Sequence, residues 1–148
     1  MLRDRNLIPL SHQHQHALAL SVQIDRSLQA GTADLEALQA QIRTMFNLEI
    51  RYHFAAEEEA LFPEAAAFAE LKPLVDQLLR EHVNLRDYFA RAERRELHAA
   101  TLRDFAEILS AHIRREEREL FEACQRLFPT EKLAAVGAAL DAVLHRTT

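Results

Sequence analysis

The sequence predicts an all-α protein, an up-down-up-down four-helix bundle with a short extra C-terminal helix, formed by residues 1–148 as a single domain. Three observations carry this. The chain has only 2 Gly and 4 Pro and is rich in Ala, Leu, Glu and Arg, which favour helix and leave few of the β-branched and turn residues a sheet needs. Apolar residues recur three and four apart along four long stretches. The breaks between those stretches are short, as antiparallel neighbours require. A chain of 148 residues can bury one proper core.

Residues 1–10 read as an irregular lead-in ending at Pro9. Ser11 is the candidate N-cap of a first helix over 11–30, and Gly31 its stop. Thr32 or Asp34 caps a second helix carrying Leu35, Leu38, Ile42, Met45, Phe46 and Ile50 on its apolar positions. Pro63 ends or kinks that helix, and residues 64–70 read as a short helical connector. Pro73 suits the first turn of a third helix, whose stripe is Val75, Leu78, His82, Leu85 and Phe89. The charged run 91–96 reads as a solvated end. A fourth helix carries Leu102, Phe105, Leu109, His112, Glu116 and Leu120 and stops near Phe128 and Pro129. Thr130 caps a final helix through Leu133, Val136, Leu140, Val143 and Leu144, in which Gly137 is an unfavourable residue.

The net charge is −5 with both signs interspersed, and no basic patch points to nucleic acid. Cys124 is the single cysteine, so no intrachain disulfide forms and a reducing, cytoplasmic location is expected. The N-terminus lacks the layout of a signal peptide, and no apolar run reaches the length of a membrane span. One face of the final helix suits a homodimer as readily as a monomer; no particular protein partner is implied.

The chemistry lies in a repeat. The runs His53 to Phe62 and His112 to Phe121 both read His, apolar, two variable residues, Glu-Glu, two variable residues, Leu-Phe. Residues four apart on a helix differ by about 40° around its axis, so His53 shares a face with Glu57, and His112 with Glu116. Both pairs continue an apolar stripe and therefore point inward. His82 lies on the stripe of the third helix between Leu78 and Leu85. A lone histidine there is ordinarily a hydrogen-bonded core residue; two His-Glu pairs on other helices favour the metal reading. Inward carboxylates must be paired, protonated or metal-bound. Carboxylate oxygens with imidazole nitrogens suit iron or manganese, and the lack of cysteine ligands argues against a structural zinc site.

Helix 1 offers His12, His14 and His16, which cannot all face the core. His14 has the more core-like neighbours and is chosen, with His16 as the alternative. His12 and His16 then form an exposed pair able to bind stray metal. Glu49 reads as a surface residue or a partner for a ligating histidine, Glu58 and Glu117 as solvated, and His98 and His145 as surface residues. Cys124 reads as a small core residue. Phe46, Tyr52, Phe54, Phe89 and Phe105 are candidate walls of a metal site.

These residues make the chain resemble the hemerythrin-like, His-His-Glu cation-binding (HHE) domains. His14, His53 with Glu57, His82, and His112 with Glu116 appear in that family's order and cover nearly the whole chain. The resemblance implies a non-haem di-iron centre with an oxo or hydroxo bridge, Mn or Zn being possible substitutes. Glu57 and Glu116 would bridge, His14 and His53 would bind one iron, and His82 and His112 the other. The oxygen-carrying members have two histidines four apart on helix 3, where this chain has Leu78 and Arg86 four either side of His82. They also use an aspartate five residues after the last histidine, where this chain has Glu116 at four. Each iron keeps an open position unless Glu58, Glu117, Glu49 or water fills it.

The resemblance therefore implies a metal- and oxygen-binding protein that handles or senses dioxygen, redox state, nitric oxide or iron, ahead of a simple oxygen carrier. Two other classes compete. One is a di-iron enzyme, an oxidase, peroxidase or iron-sulfur repair factor; members in the repair role carry a further cysteine-bearing N-terminal segment that these residues do not contain. The other is a metal-free or zinc-loaded helical interaction module, which leaves the repeated His-Glu pairs as coincidence.

Overall fold

The computed structural model describes residues 2–146, so Met1 of the expected lead-in lies outside the described residues. Among the described residues there are five helices and no strand. α1 is Ile8–Ala30. α2 is one continuous run of Leu35–Met45, Phe46–Ile50, Arg51–Ala56, Glu57–Leu61 and Phe62–Ala66. α3 is Lys72–Glu93; α4 comprises Ala99–Arg115, Glu116–Leu120 and Phe121–Leu127; α5 is Thr130–Leu144. Phe46–Ile50, Glu57–Leu61 and Glu116–Leu120 are π-helical turns. No helix among the described residues is long and apolar enough to cross a membrane.

Helix α1 starts earlier than its sequence suggests. Pro9 sits in its first turn, where the missing N–H has no partner to lose, and Leu7 holds the cap position without a side-chain bond. Ser11 is thus inside the helix, and its hydroxyl donates to Glu117 at 2.8 Å instead of capping. Gly31 closes α1 at φ 70°, a left-handed backbone that glycine adopts freely. Asp34 caps α2 by accepting from Ala37 N at 3.0 Å. Pro63 does not end α2. It comes two residues after the end of a π turn, where the change of hydrogen-bond register already interrupts the ladder a proline would break. Pro129, not Thr130, holds the cap position of α5. Gly137 has a packing reason: a Cβ there would fall 2.2 Å from Asn6 Oδ1 and 2.8 Å from Asn6 Cβ.

The helices share two apolar clusters with a polar layer between them. The first contains Leu10, Leu61, Phe62, Leu78, Leu120, Phe121 and the apolar face of α5. The second contains Ala17, Ile24, Ile50, Phe54, Leu85, Phe105 and Ile113. α1 passes from the first at Leu10 to the second at Ala17, and α3 does so from Leu78 to Leu85. α2 passes from the second at Ile50 to the first at Ala60, and α4 does so from Ile113 to Leu120. His14, His53 with Glu57, His82, and His112 with Glu116 fall at these four crossings. Each fully buried Leu or Phe contributes about 1.5–3 kcal/mol, whereas an uncompensated buried ion costs several kcal/mol. The two clusters therefore hold a layer that the chain would otherwise not bury. α1 packs along α4, the first part of α2 along α3, and the later part of α2 against α5.

Candidate metal centre

All six crossing residues are buried, none more than 4% exposed. The four imidazoles aim Nε2 at one another and at the two carboxylates. His14 Nε2 lies 3.1 Å from Glu116 Oε1. His53 Nε2 lies 3.1 Å from His14 Nε2 and 3.3 Å from Glu57 Oε2. His82 Nε2 lies 3.2 Å from Glu57 Oε1, and His112 Nε2 lies 3.1 Å from Glu116 Oε1. Two overlapping groups result: His14, His53, Glu57 and Glu116, and Glu57, His82, His112 and Glu116. Within each group the ligand atoms all lie within 4.8 Å of one another, and both carboxylates belong to both groups.

That spacing suits a shared ion. Two donors about 2.1 Å from one metal and at right angles stand about 3 Å apart. Glu57 Oε1 and Oε2, Glu116 Oε2, His82 Nε2 and His112 Nε2 are buried with no hydrogen-bond partner. Buried polar atoms in native proteins are ordinarily satisfied, and these five all belong to residues of the two overlapping groups, a donor set that suits cations.

The outer nitrogens show how the rings are held. His14 Nδ1 donates to Glu117 Oε2 at 2.6 Å, His53 Nδ1 to Gln13 Oε1 at 2.8 Å, His82 Nδ1 to Glu58 Oε2 at 2.6 Å, and His112 Nδ1 to Glu81 Oε1 at 2.7 Å. Each partner atom is an acceptor, so a proton sits on Nδ1 and Nε2 is the nitrogen turned inward, the one that would give up any proton of its own to a metal. The partners form a closed ring. α1 supplies Gln13 to α2, α2 supplies Glu58 to α3, α3 supplies Glu81 to α4, and α4 supplies Glu117 to α1. The three carboxylates are held in turn. Arg86 grips Glu58 through both of its Nη atoms at 2.7 and 3.1 Å. Arg115 Nε donates to Glu81 at 2.9 Å. Arg3 Nη2 and Ser11 Oγ donate to Glu117 at 3.2 and 2.8 Å.

The electrostatics follow from burial and neighbours. Burial, then the facing Glu116, push the Glu57 carboxyl well above the usual carboxylate range. Burial works against the Glu116 carboxylate too, but His112, Glu57 and His14 hold its pKa well below that range. The two carboxyls thus share the site as one acid and one anion when no cation lies between them. Burial opposes the His112 imidazolium, yet Glu116 and Glu81 raise its pKa to about 9. Burial and the charge of His14 keep His53 well below its ordinary value. Partial burial disfavours the Glu58 carboxylate, but His82 and Arg86 lower its pKa to about 2.

The walls are only partly those expected. Phe54 stacks on His82 with ring centroids 3.9 Å apart and lies edge-on to His112. Phe62 stands 5.3 Å from His82, and Phe121 stacks on His14 at 5.6 Å. Phe46, Phe89 and Phe105 instead pack with one another, and Tyr52 lies against Arg51. At α-helical spacing Phe62 and Phe121 would stand about 140° around from Glu57 and Glu116. The π turns reduce this: Phe62 N bonds to Glu57 O and Phe121 N to Glu116 O, five residues back, so each ring comes round towards the face of its glutamate and meets a converging histidine.

Glu58 and Glu117 are therefore only partly solvated, and they orient histidines. Gln13 and Glu81 went unnoticed in the sequence. Their signal was adjacency: Gln13 precedes His14, Glu81 precedes His82, and Glu58 and Glu117 follow Glu57 and Glu116. Glu49 pairs with His16 at 2.9 Å, and His16 is exposed beside His12 at a centroid distance of 5.6 Å. His98 and His145 are exposed. Cys124 is buried in the first cluster, and burial pushes its thiol up to about 12.

The chain was also compared with known proteins. No curated protein and no solved structure matches it. The hemerythrin HHE cation-binding domain matches residues 9–124, a span that begins in α1, ends in α4 and contains all six converging residues. With buried His/Glu clusters that suit metal binding, and a family match over most of its length, the chain belongs to the hemerythrin HHE cation-binding family.

Proposed function

We propose that residues 1–148 form one hemerythrin-like domain that binds two iron ions through His14, His53, Glu57, His82, His112 and Glu116 and handles or senses oxygen, redox state, nitric oxide or iron in the cytoplasm. The observation that carries this reading is the pair of overlapping ligand groups sharing both carboxylates. The alternating passage of α1 to α4 between the two apolar clusters supports an up-down-up-down bundle, with α5 added outside.

A bound iron pair would supply redox chemistry toward small oxygen- or nitrogen-containing ligands. The residues do the rest. Glu57 and Glu116 each reach both positions and neutralise much of the added charge. His14 and His53 face one position, His82 and His112 the other, each with its Nδ1 proton already engaged. Protein donors number four per group, which leaves coordination room for solvent or a small ligand. A cavity of about 20 Å³ beside His14, His53 and Glu116 has room for about one water, which suits a small ligand. Phe54 and Leu109 give that cavity an apolar wall. The positions four either side of His82 are Leu78, a core residue, and Arg86, held by Glu58, so neither adds a ligand. This favours a site with open coordination over a saturated carrier. Burial disfavours the Cys124 thiolate, the form that enters thiol exchange.

The test is the metal content and visible spectrum of protein expressed in iron-replete medium. About two irons per chain with a near-ultraviolet charge-transfer band is the expected result. Zinc alone, or no metal, overturns the reading.

A further inference from the structure

The outer ring of acceptors is two-fold in pattern but not in charge. Gln13 on α1 and Glu81 on α3 occupy matching places. Each precedes its helix's inward histidine by one residue, and each accepts from Nδ1 of the histidine on the following helix. Likewise Glu58 matches Glu117. Three of the four acceptors are carboxylates and one is a neutral amide. An anionic acceptor pulls on the Nδ1 proton and makes Nε2 a stronger donor; an amide does so less. Loss of such an acceptor typically weakens metal binding by about 10–100-fold.

The difference falls on one metal position. His82 and His112 both have carboxylate partners, whereas His14 has Glu117 and His53 has Gln13. Each carboxylate is paired to an arginine, Arg86, Arg115 or Arg3, so long-range charge largely cancels and the local hydrogen bond decides. Gln13 also stands between the centre and the surface. It lines the small cavity beside His14 and His53, and it lines the surface pocket that holds His12, His16 and Glu49.

We propose that the two metal positions are inequivalent: the His82–His112 position fills first and holds, the His14–His53 position is weaker and exchanges, and Gln13 is the positioning residue that sets the difference. This rests on the two-metal reading of the centre. It goes beyond it by assigning an order of loading and a residue that controls it.

Titration of the metal-free protein with Mn(II), followed by calorimetry and electron paramagnetic resonance, tests it. The expected result is two steps at least tenfold apart. A six-line signal of an isolated ion appears at one equivalent, and a spin-coupled signal only at two. Gln13→Glu should tighten the second step about tenfold and leave the first unchanged, and Gln13→Ala should loosen the second further. Glu81→Gln should weaken the first step. Gln15→Glu adds the same charge at an exposed position of α1 and should change neither step. Melting of each metal-free variant separates ligand effects from folding defects. Two equal steps in the unaltered protein, or a Gln13→Glu variant with unchanged steps, overturns the inequivalence but leaves the two-metal reading standing. Uptake of no Mn(II), with none of Fe(II) either, overturns both.

Discussion

Glu117 Oε2 lies 2.6 Å from His14 Nδ1, so α4 orients the one histidine that α1 sends into the core. The contact joins residues more than one hundred positions apart and selects His14 over its neighbours His12 and His16. Arg3 and Ser11 complete it by donating to the same carboxylate. Glu117→Ala should therefore free the His14 ring to rotate and leave two donors without their acceptor. Metal affinity should fall about 10–100-fold, read by calorimetric titration. An unchanged affinity would mean that ring orientation does not depend on this bond.

Removing a converging imidazole should remove metal; removing an exposed one should not. His53→Ala and His112→Ala should each lose at least one ion per chain, measured by elemental analysis after gel filtration. His16→Ala and His98→Ala should retain the full complement, because both side chains face solvent.

The metal-free protein should lose stability as pH rises from 6.5 to about 9. The His112 pKa is raised from 6.5 to about 9 in the folded chain, so its protonated form stabilises the fold fully below 6.5, and that stability is lost as pH climbs through 9. His14 is raised and Glu57 is raised, and both act in the same sense. His53 and His82 are lowered, so their effect lies on the acid side of 6.5. A bound metal displaces these protons, so affinity should rise with pH over the same window, and chelation should lower the melting temperature most at its upper end. Melting curves at several pH values, with and without chelator, check both; a flat metal-free profile would contradict the first.

Gly137→Ala should destabilise a helix that alanine ordinarily strengthens. Alanine gains about 1 kcal/mol over glycine in a helix, but overpacking costs about 1–3 kcal/mol. The new Cβ would meet Asn6 Cγ at 2.7 Å as well as its Oδ1 and Cβ, so repulsion should win. The melting temperature should drop by a few degrees, and adding Asn6→Gly should recover it.

Much of the fold was legible because its signals are local. Gly31 at the end of α1, Asp34 before α2 and Pro73 in the first turn of α3 act within one turn of themselves. Pro9, Ser11 and Pro63 misled for the opposite reason. Ser11 looks like a cap until Glu117 arrives from another helix, and Pro63 looks like a stop until a π turn changes the hydrogen-bond register before it.

The centre divides in the same way. Helical periodicity in the sequence alone was enough to put His53 with Glu57, and His112 with Glu116, on inward faces, since those intervals are internal to one helix. Which aromatic rings close the site required the π turns, which bring Phe62 and Phe121 round where five residues of α-helix would not. Which side chains hold the converging histidines required the packed bundle. Gln13, Glu58, Glu81 and Glu117 each sit beside a converging residue in sequence but serve a histidine on the next helix. A sequence read helix by helix contains the inward-facing donors; only the arrangement of helices around a common layer decides what grips them from outside.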